Sequence, residues 1–523
     1  MELPSAAMFQ ELFVLAILYA ALHYLARAIL PAKRAAGHAS PPLPLPPGPR
    51  GYPVVGALPL LGRAPHRALA TMAKLHGPIM HLTLGRQGVV VASTPAAARL
   101  FLKEHGASFL DRPTGDAAPT LLAYGAQDLV FAPYGPRWRR LRRECSIGLL
   151  GPQALVNWAD TRREEVGHMV RAVLARRGEA VEVPEFLFCA MANMIGQAAV
   201  GRRVLDDAGG EATREFKEMV VELMTSAGLV NIGDFVPAVA WMDLQGLVRK
   251  MRRLWTRLDR VWARLLSEHE EVMAARQQEG ARRLDLVDRL IACRREAGEE
   301  YGVTDLNIKA LLNNVFTAGT DTSSSTIEWA LAEMLLNPAI MRRAQAEMDA
   351  LIGRDRLLRD SDTPNLPYLH AICKETFRKH PSTPLNLPRV STEACNVQGY
   401  HIPKGTRLIV NIWGIGRDPA AWPDPTRFDP ERFMTEQGKK VEPMGSHFEL
   451  IPFGAGRRMC AGARMGVTLV HHMLGALVHA FDWEMPEGAA GVMDMEEEFG
   501  LALQKKVPVR AVARPRLAAS AYE

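Results

Sequence analysis

Cysteine is scarce in this chain of 523 residues: six are present, at positions 145, 189, 293, 373, 395 and 460. None stands in C-x-x-C spacing, which argues against a zinc site and against a disulfide framework. The N-x-S/T pattern for glycosylation does not occur at all, so the body of the chain reads as cytosol-facing. No internal repeat is found, and no long low-complexity linker follows residue 53, which excludes a repeat architecture. Charge of one sign does not dominate either. The net value is +6, with positive and negative residues mixed throughout, which suits an acidic partner or a membrane surface and implies no nucleic acid. No stretch reaches eighteen unbroken apolar residues, the usual mark of a spanning helix.

What is present in abundance is apolar sequence, 48% of the chain, enough for a large core. Leu12 to Leu22 is the longest unbroken run, extended through Tyr24-Leu25-Ala26 and past Arg27 to Leu30. Lys33 and Arg34 follow it, which places the remainder on the cytoplasmic side of a membrane. Residues 1–30 therefore read as a retained single-pass anchor; a signal-peptide core is the competing reading. Residues 31–53 hold Pro-Pro-Leu-Pro-Leu-Pro-Pro-Gly-Pro-Arg-Gly-Tyr-Pro. Proline fixes φ and removes donors, so this is a stiff extended hinge, with an SH3-type ligand as the alternative. Length alone suggests two or three domains, yet 54–523 shows no internal boundary and is taken as one catalytic domain.

Helical periodicity runs through 155–177, 246–279, 304–336, 338–352, 366–379 and 463–480. Two hairpins are expected, one joining Ile79–Gly85 to Val89–Ala92, the other joining Tyr400–Ile402 to Arg407–Val410 across Pro403-Lys404-Gly405. The fold class is mainly α with a minor β region. Residues 107–134 have few periodic apolar positions, and a long irregular stretch inside a compact domain is more often functional than accidental.

The stretch Phe453-Gly454-Ala455-Gly456-Arg457-Arg458-Met459-Cys460-Ala461-Gly462 stands just before an apolar helix. A cysteine at such a helix entry is expected to have a lowered pKa. Its glycines would let the thiolate press against a large flat cofactor such as haem, whose iron accepts that ligand. An inert buried cysteine is the bland alternative. A dinucleotide loop is excluded, because Met459 stands where that pattern needs a small residue and no strand opens it. Elsewhere, Trp138 and Arg142 are four apart on one helix face, an indole N–H and a guanidinium that together suit a carboxylate. The segment Ala318-Gly319-Thr320-Asp321-Thr322-Ser323-Ser324-Ser325-Thr326 puts seven polar residues inside an apolar helix. This is either a break with Asp321 or Thr322 capping a second helix, or a widened helix facing a cavity, where Asp321 and Thr322 relay protons. Glu375 and Arg378 form an i, i+3 pair, and Arg432 follows downstream.

The complete spacing F-x-x-G-x-R-x-C-x-G, with W-x-x-x-R, A-G-x-D-T-S and E-x-x-R in order, resembles the cytochrome P-450 family over nearly the whole chain. That resemblance implies the helix-rich cytochrome P-450 fold behind a membrane anchor helix, and haem b (iron protoporphyrin IX) with Cys460 as axial thiolate. It implies that Phe453, Gly456, Arg458, Trp138, Arg142 and Arg389 hold the cofactor. Thr322 would hydrogen-bond bound oxygen and Asp321 would feed it protons, while Glu375, Arg378 and Arg432 form a structural triad. O2 and NADPH are implied, the latter used through a membrane-bound NADPH–cytochrome reductase whose acidic face would meet Arg137, Arg139, Arg140 and Arg457. Microsomal members place the catalytic domain on the cytosolic side of the endoplasmic reticulum membrane.

Within the family, Asp234–Pro237, Trp241–Gly246, His380–Arg389, Val410–Pro419 and Phe499–Leu503 resemble plant flavonoid B-ring hydroxylases, closer to those acting at 3′ and 5′ than at 3′ alone. A flavonoid substrate would then meet Thr383, Leu387 and Ala502, and a small residue at 502 would let the ring rotate and present its second meta carbon. The alternatives are a 3′-hydroxylase or another plant phenylpropanoid monooxygenase, a haem-thiolate isomerase or dehydratase, and a non-catalytic haem sensor or carrier. Intact Asp321-Thr322 argues against the last two groups, since neither activates oxygen.

Overall fold

Helices carry the architecture, and the longest of them sits at its centre. The computed structural model describes Tyr19 and residues 43–206, 208–276, 284–296, 302–487 and 493–523. The expected anchor over 1–30 lies outside the described residues apart from Tyr19, as does the first part of the 31–53 hinge. The principal helices are α1 (Pro65–His76), α2 (Pro136–Cys145), α3 (Ala159–Ala175), α4 (Val183–Val200), α5 (Glu211–Gly228), α6 (Leu247–Arg276), α7 (Asp305–Leu336), α8 (Pro338–Ile352), α9 (Pro367–Lys379) and α10 (Ala463–Ala480). Helix α7 touches α4, α5, α6, α8, α9 and α10. It is buried on nearly every side, and its buried positions include polar side chains as well as apolar ones.

Local chemistry sets the ends of α7. Thr304 Oγ1 accepts from the Asn307 amide while Asn307 Oδ1 accepts from the Thr304 amide, a reciprocal cap. Pro338 disfavours helical backbone at Asn337, which leaves the helix at φ −124° and ψ 72°. Helix α4 has the length and apolarity of a membrane span, but it is almost wholly buried in the core against α3 and α7.

A four-stranded sheet flanks the helices: β1 (Ile79–Leu84), β2 (Gln87–Ala92), β3 (Arg389–Val390) and β4 (Arg407–Val410), in the order β1-β2-β4-β3. The first expected hairpin forms, with Ile79 opposite Ala92 and Leu84 opposite Gln87. The second does not. Tyr400–Ile402 instead pairs with Cys395–Val397, while β4 runs parallel to β2 and antiparallel to β3. The turn chemistry explains the choice, because Gln398 at φ 50° and Gly399 at φ 81° make the two-residue turn that matches strand twist. From Leu43 onward the proline-rich strap is fastened to the body: Pro44 O accepts from the His401 amide and Pro47 O from the His81 amide, both at 2.8 Å. A Cβ on Gly48 would lie 1.7 Å from His81 O, so only glycine lets the strap approach β1.

Glu375 and Arg378 on α9 are fully enclosed. Arg378 Nε and Nη2 donate to the two Glu375 oxygens, each at 2.7 Å, and Arg378 reaches the carbonyls of Gly416, Pro425 and Arg427. Arg432 Nε comes to 3.4 Å from Glu375 Oε1, which also accepts from the Asp429 amide at 2.8 Å. The structure thus joins the three residues and fastens α9 to the coil that leads to Cys460. Removing one partner of a saturated buried pair strands the other, a loss of about 3–5 kcal/mol. Glu375→Ala is therefore expected to lower the unfolding free energy by that margin, seen as a lower urea midpoint, and to abolish stable haem incorporation. Full haem content with an unchanged midpoint would refute the role.

Candidate active site

The Cys460 loop is a set of short turns. Gly454 N donates to Ile451 O, Met459 N to Gly456 O, and Cys460 N to Phe453 O at 3.0 Å. Gly454 and Gly456 sit at φ 70° and 72°, and a Cβ on Gly456 would lie 2.3 Å from Leu102 O. Both conformation and space demand glycine at 456. Phe453 rests edge-on against Phe377 of α9, ring centres 5.4 Å apart. Helix α10 begins at Ala463.

Cys460 opens onto a cavity of about 1790 Å³, counting the part open to solvent, and it is the one cysteine on that wall among the described residues. The expected lowering of the thiol pKa is not found. Burial pushes Cys460 upward, and the Gly462 amide and Arg142 only partly offset it. The thiol's surface faces the cavity, not bulk water, so a bound cation is what would stabilise its anion.

The charge around the cavity points the same way. Arg112, Arg389 and Arg458 are buried side by side; Arg458 lowers the pKa of both others and Arg389 that of Arg112, while Arg389 and Arg458 are pushed down to about 10, chiefly by burial. Their hydrogen bonds go to backbone carbonyls: Arg112 to Leu387 and Pro388, Arg389 to Ala455, and Arg458 to Leu110 and Ala132. Among the described residues no carboxylate pairs with any of them. Arg389 Nε and Nη1 and Arg458 Nη1 are buried without partners, as is Asn386 Nδ2. Buried donors are otherwise almost always satisfied, so this donor set fits the acidic groups of a propionate-bearing cofactor. Arg142, half-buried on the same wall, adds a fourth guanidinium. Trp138 departs from expectation. Its indole N–H is taken by Leu129 O at 2.9 Å, leaving its ring as the platform for Arg458, at 4.6 Å, and Arg142, at 5.3 Å.

Helix α7 supplies the opposite chemistry. It is neither broken nor widened at 318–326. Thr320, Thr322 and Thr326 donate to the carbonyls of Phe316, Ala318 and Thr322, four residues back in each case. The hydroxyls satisfy themselves within the helix, and that is how a polar cluster stays buried there. Thr322 lies on the cavity wall. Asp321 does not. It turns away to accept from Gln504 Nε2 on Oδ1, while Oδ2 has no partner. Burial, reinforced by Glu328, pushes its carboxyl up to about 7.

The remaining wall draws on the irregular 107–134 segment, which α7 holds in place. Asn314 bridges the Leu129 amide and Asp128, and Asn313 Nδ2 donates to Leu122 O. Arg112, Asn313 and Asn314 were not singled out from sequence; an arginine between Asp111 and Pro113, inside an aperiodic run, is the only trace they leave there. Thr383 and Leu387 line the cavity. Ala502 does not: it is buried behind the wall, and its neighbour Leu501 is the residue presented. Leu501 N donates to Met224 O and Leu503 N to Ser382 O, and between these ties Gly500–Ala502 bends, with Leu501 on the cavity wall and Ala502 buried behind it.

A family model for cytochrome P-450 matches residues 46–509. The chain belongs to the cytochrome P-450 family. Among relatives, a flavonoid 3′,5′-hydroxylase of Campanula medium is 56% identical over 490 residues, covering 91% of this chain and 92% of its own length. A flavonoid 3′-monooxygenase of Petunia hybrida is 46% identical over 488 residues, covering 92% and 94% respectively. A solved zebrafish cytochrome P-450, determined with abiraterone, is 26% identical with a TM-score of 0.71, covering 86% of this chain and 100% of that one. Family membership implies a haem held by a cysteine thiolate, which agrees with the thiol on the cavity wall and with the unpartnered nitrogens of Arg458 on that wall and of Arg389 beside it.

If those guanidiniums hold the cofactor's acids, Arg458→Met should accelerate haem loss to apomyoglobin at least tenfold, a change of about 1.4 kcal/mol. An unchanged transfer rate would show that the cavity's positive charge serves another purpose.

Proposed function

We propose that this cytochrome P-450 hydroxylates the B ring of flavanones and dihydroflavonols at the 3′ and 5′ positions. It would consume O2 and draw electrons from NADPH through a membrane-bound reductase. One observation carries the monooxygenase reading: Cys460 and Thr322 face one largely apolar cavity, with Asp321 buried behind Thr322 and the guanidiniums of Arg112, Arg142 and Arg458 on the wall, the last with an unpartnered nitrogen. The substrate reading rests on the names borne by relatives sharing about half or more of the sequence.

Bound haem supplies O–O cleavage and oxygen insertion, with electron push from its thiolate ligand. The chain's own residues do the rest. Cys460 would bind the iron, and Arg112, Arg142, Arg389 and Arg458 would hold the propionates. Leu122, Leu129, Val130, Ile195 and Leu223 exclude water from a flat aromatic ring. Thr322 can turn its hydroxyl from Ala318 O toward the cavity, and Asp321, poised near neutral pH, holds the next proton. Arg137, Arg139 and Arg457 are exposed and offer the acidic reductase a basic face, with residues 1–30 anchoring the body to the endoplasmic reticulum membrane.

Two measurements test this. Purified protein with reductase, NADPH and naringenin should yield the 3′- and then the 3′,5′-hydroxylated product; accumulation of the 3′ product alone would overturn the dihydroxylation. Cys460→Ala should lose both the thiolate-type carbon monoxide difference spectrum and all hydroxylation. A variant that kept either would remove the basis of the proposal.

Docking has its own signature. Reversing charge at Arg139 and Arg457 together should slow reductase-supported turnover several-fold at low salt while leaving dithionite reduction unchanged. Exposed rim charges act mainly on encounter, so the difference should shrink as salt rises.

A further inference from the structure

The face of α7 turned from the cavity is a polar stripe with a single opposing partner. Asp321, Ser325 and Glu328 recur at i, i+4 and i+7, so they share one side of the helix. Each bonds the segment 503–509: Asp321 Oδ1 accepts from Gln504 Nε2, Ser325 Oγ donates to Leu503 O at 3.2 Å, and Glu328 Oε1 accepts from the Val509 amide at 2.7 Å. The cavity face of the same turns carries Ala318, Gly319, Thr322, Ser323 and Thr326. A single turn of helix thus presents Thr322 to the reaction space and keeps Asp321 behind it.

We infer that Gln504 is a positioning residue for proton supply, pinning one oxygen of Asp321 so that the other, Oδ2, is left free to carry the proton toward Thr322. Three observations support this. Gln504 is the only side chain hydrogen-bonded to Asp321 among the described residues, and Oδ2 is buried with no partner. The Gln504 amide donates, so it favours the carboxylate against the burial that pushes Asp321 up to about 7. The other charged groups around Asp321 are Glu328, two turns along the helix, and Lys217 from α5; Glu328 in turn faces Lys505, Lys217 and Glu182. None of these is hydrogen-bonded to Asp321, so the carboxyl's orientation rests on Gln504. The strand pairing Gln504 with Glu498 and Lys505 with Glu497 holds Gln504 itself in register.

The inference rests on the monooxygenase reading, and its test separates the two. Difference infrared spectroscopy of the resting haem protein, without NADPH or substrate, should show a protonated carboxyl band that Asp321→Asn removes. Its midpoint should lie near pH 7 and move up by at least half a pH unit in Gln504→Leu, since the lost donor had favoured the charged form. In turnover, the same variant should release at least threefold more hydrogen peroxide per NADPH consumed, with the flavanone spin-shift Kd within twofold. Gln504→Glu keeps the shape and can donate only when protonated, so its coupling relative to the unsubstituted protein should recover as pH falls from 8 to 6. An unmoved carboxyl midpoint, or a peroxide ratio that changes only in step with flavanone affinity, would overturn the assignment. Absence of turnover in the unsubstituted protein would instead count against the monooxygenase reading and leave the infrared result standing.

Discussion

Three guanidiniums buried against one another, with Asp111 and Asp128 near enough to act on them but hydrogen-bonded to none of them, form an interior that is electrically incomplete. Each uncompensated buried ion costs several kilocalories per mole, and a charged hydrogen bond returns only about 1.5–3 kcal/mol. The carbonyls that hold Arg112, Arg389 and Arg458 therefore cannot neutralise the wall by themselves. Cys460 makes the complementary demand, since burial holds its thiol neutral until a cation binds. A ligand carrying both a metal centre and peripheral acids satisfies the two demands at once. The Glu375–Arg378–Arg432 clamp is the contrasting case, with both guanidiniums paired to the Glu375 carboxylate and their remaining donors spent on carbonyls. One cluster is finished by the protein, and the other is left for the cofactor.

Helix α7 solves a second conflict, between burial and polarity. A run of Thr, Ser and Asp in a helix interior weakens it when side chains compete for backbone carbonyls. Here the threonines bond carbonyls that already accept in the helix, while Asp321, Ser325 and Glu328 look to 503–509 for partners. The helix stays regular because its polar residues are sorted by face. That sorting also keeps the Asp321 carboxyl off the largely apolar cavity wall, yet leaves it one residue from the Thr322 hydroxyl.

The long helices, the Cys460 loop and the α9 clamp were legible in the sequence, because each writes itself locally: a 3.6-residue period, glycines at fixed offsets, an i, i+3 ion pair. What was not legible depended on distant partners. The pairing of Tyr400–Ile402 turned on two left-handed residues at 398 and 399 that outcompeted the Pro-Lys-Gly turn. Trp138 was read as a donor for a ligand, but Leu129 O, nine residues upstream, takes its proton. The thiol pKa was judged from the helix dipole alone, whereas burial by the folded cavity outweighs it. Arg112, Asn313 and Asn314 acquire meaning only when α7 meets the 107–134 segment.

Position 502 shows how narrow the step from motif to contact can be. The sequence draws attention to Phe499–Leu503 as a block, but the chain bends at Gly500–Ala502 between two paired strands, so Leu501 meets the cavity and Ala502 does not. The block is also firmly held. Glu497 accepts from His66, Arg67 and Trp413, Phe499 stacks on His66 at 5.4 Å, and Leu501 N is tied to Met224 O. Burial would raise the Glu497 carboxyl, yet these donors hold it far below its ordinary range, so the brace stays charged and closed at any physiological pH. A wall fixed from behind in this way discriminates by shape. If Ala502 bears on which ring carbon is hydroxylated, it does so by setting how far Leu501 projects and not by touching the ring. The second hydroxylation is then a property of the wall's contour, while the chemistry proposed for Cys460 and Thr322 would serve both positions alike.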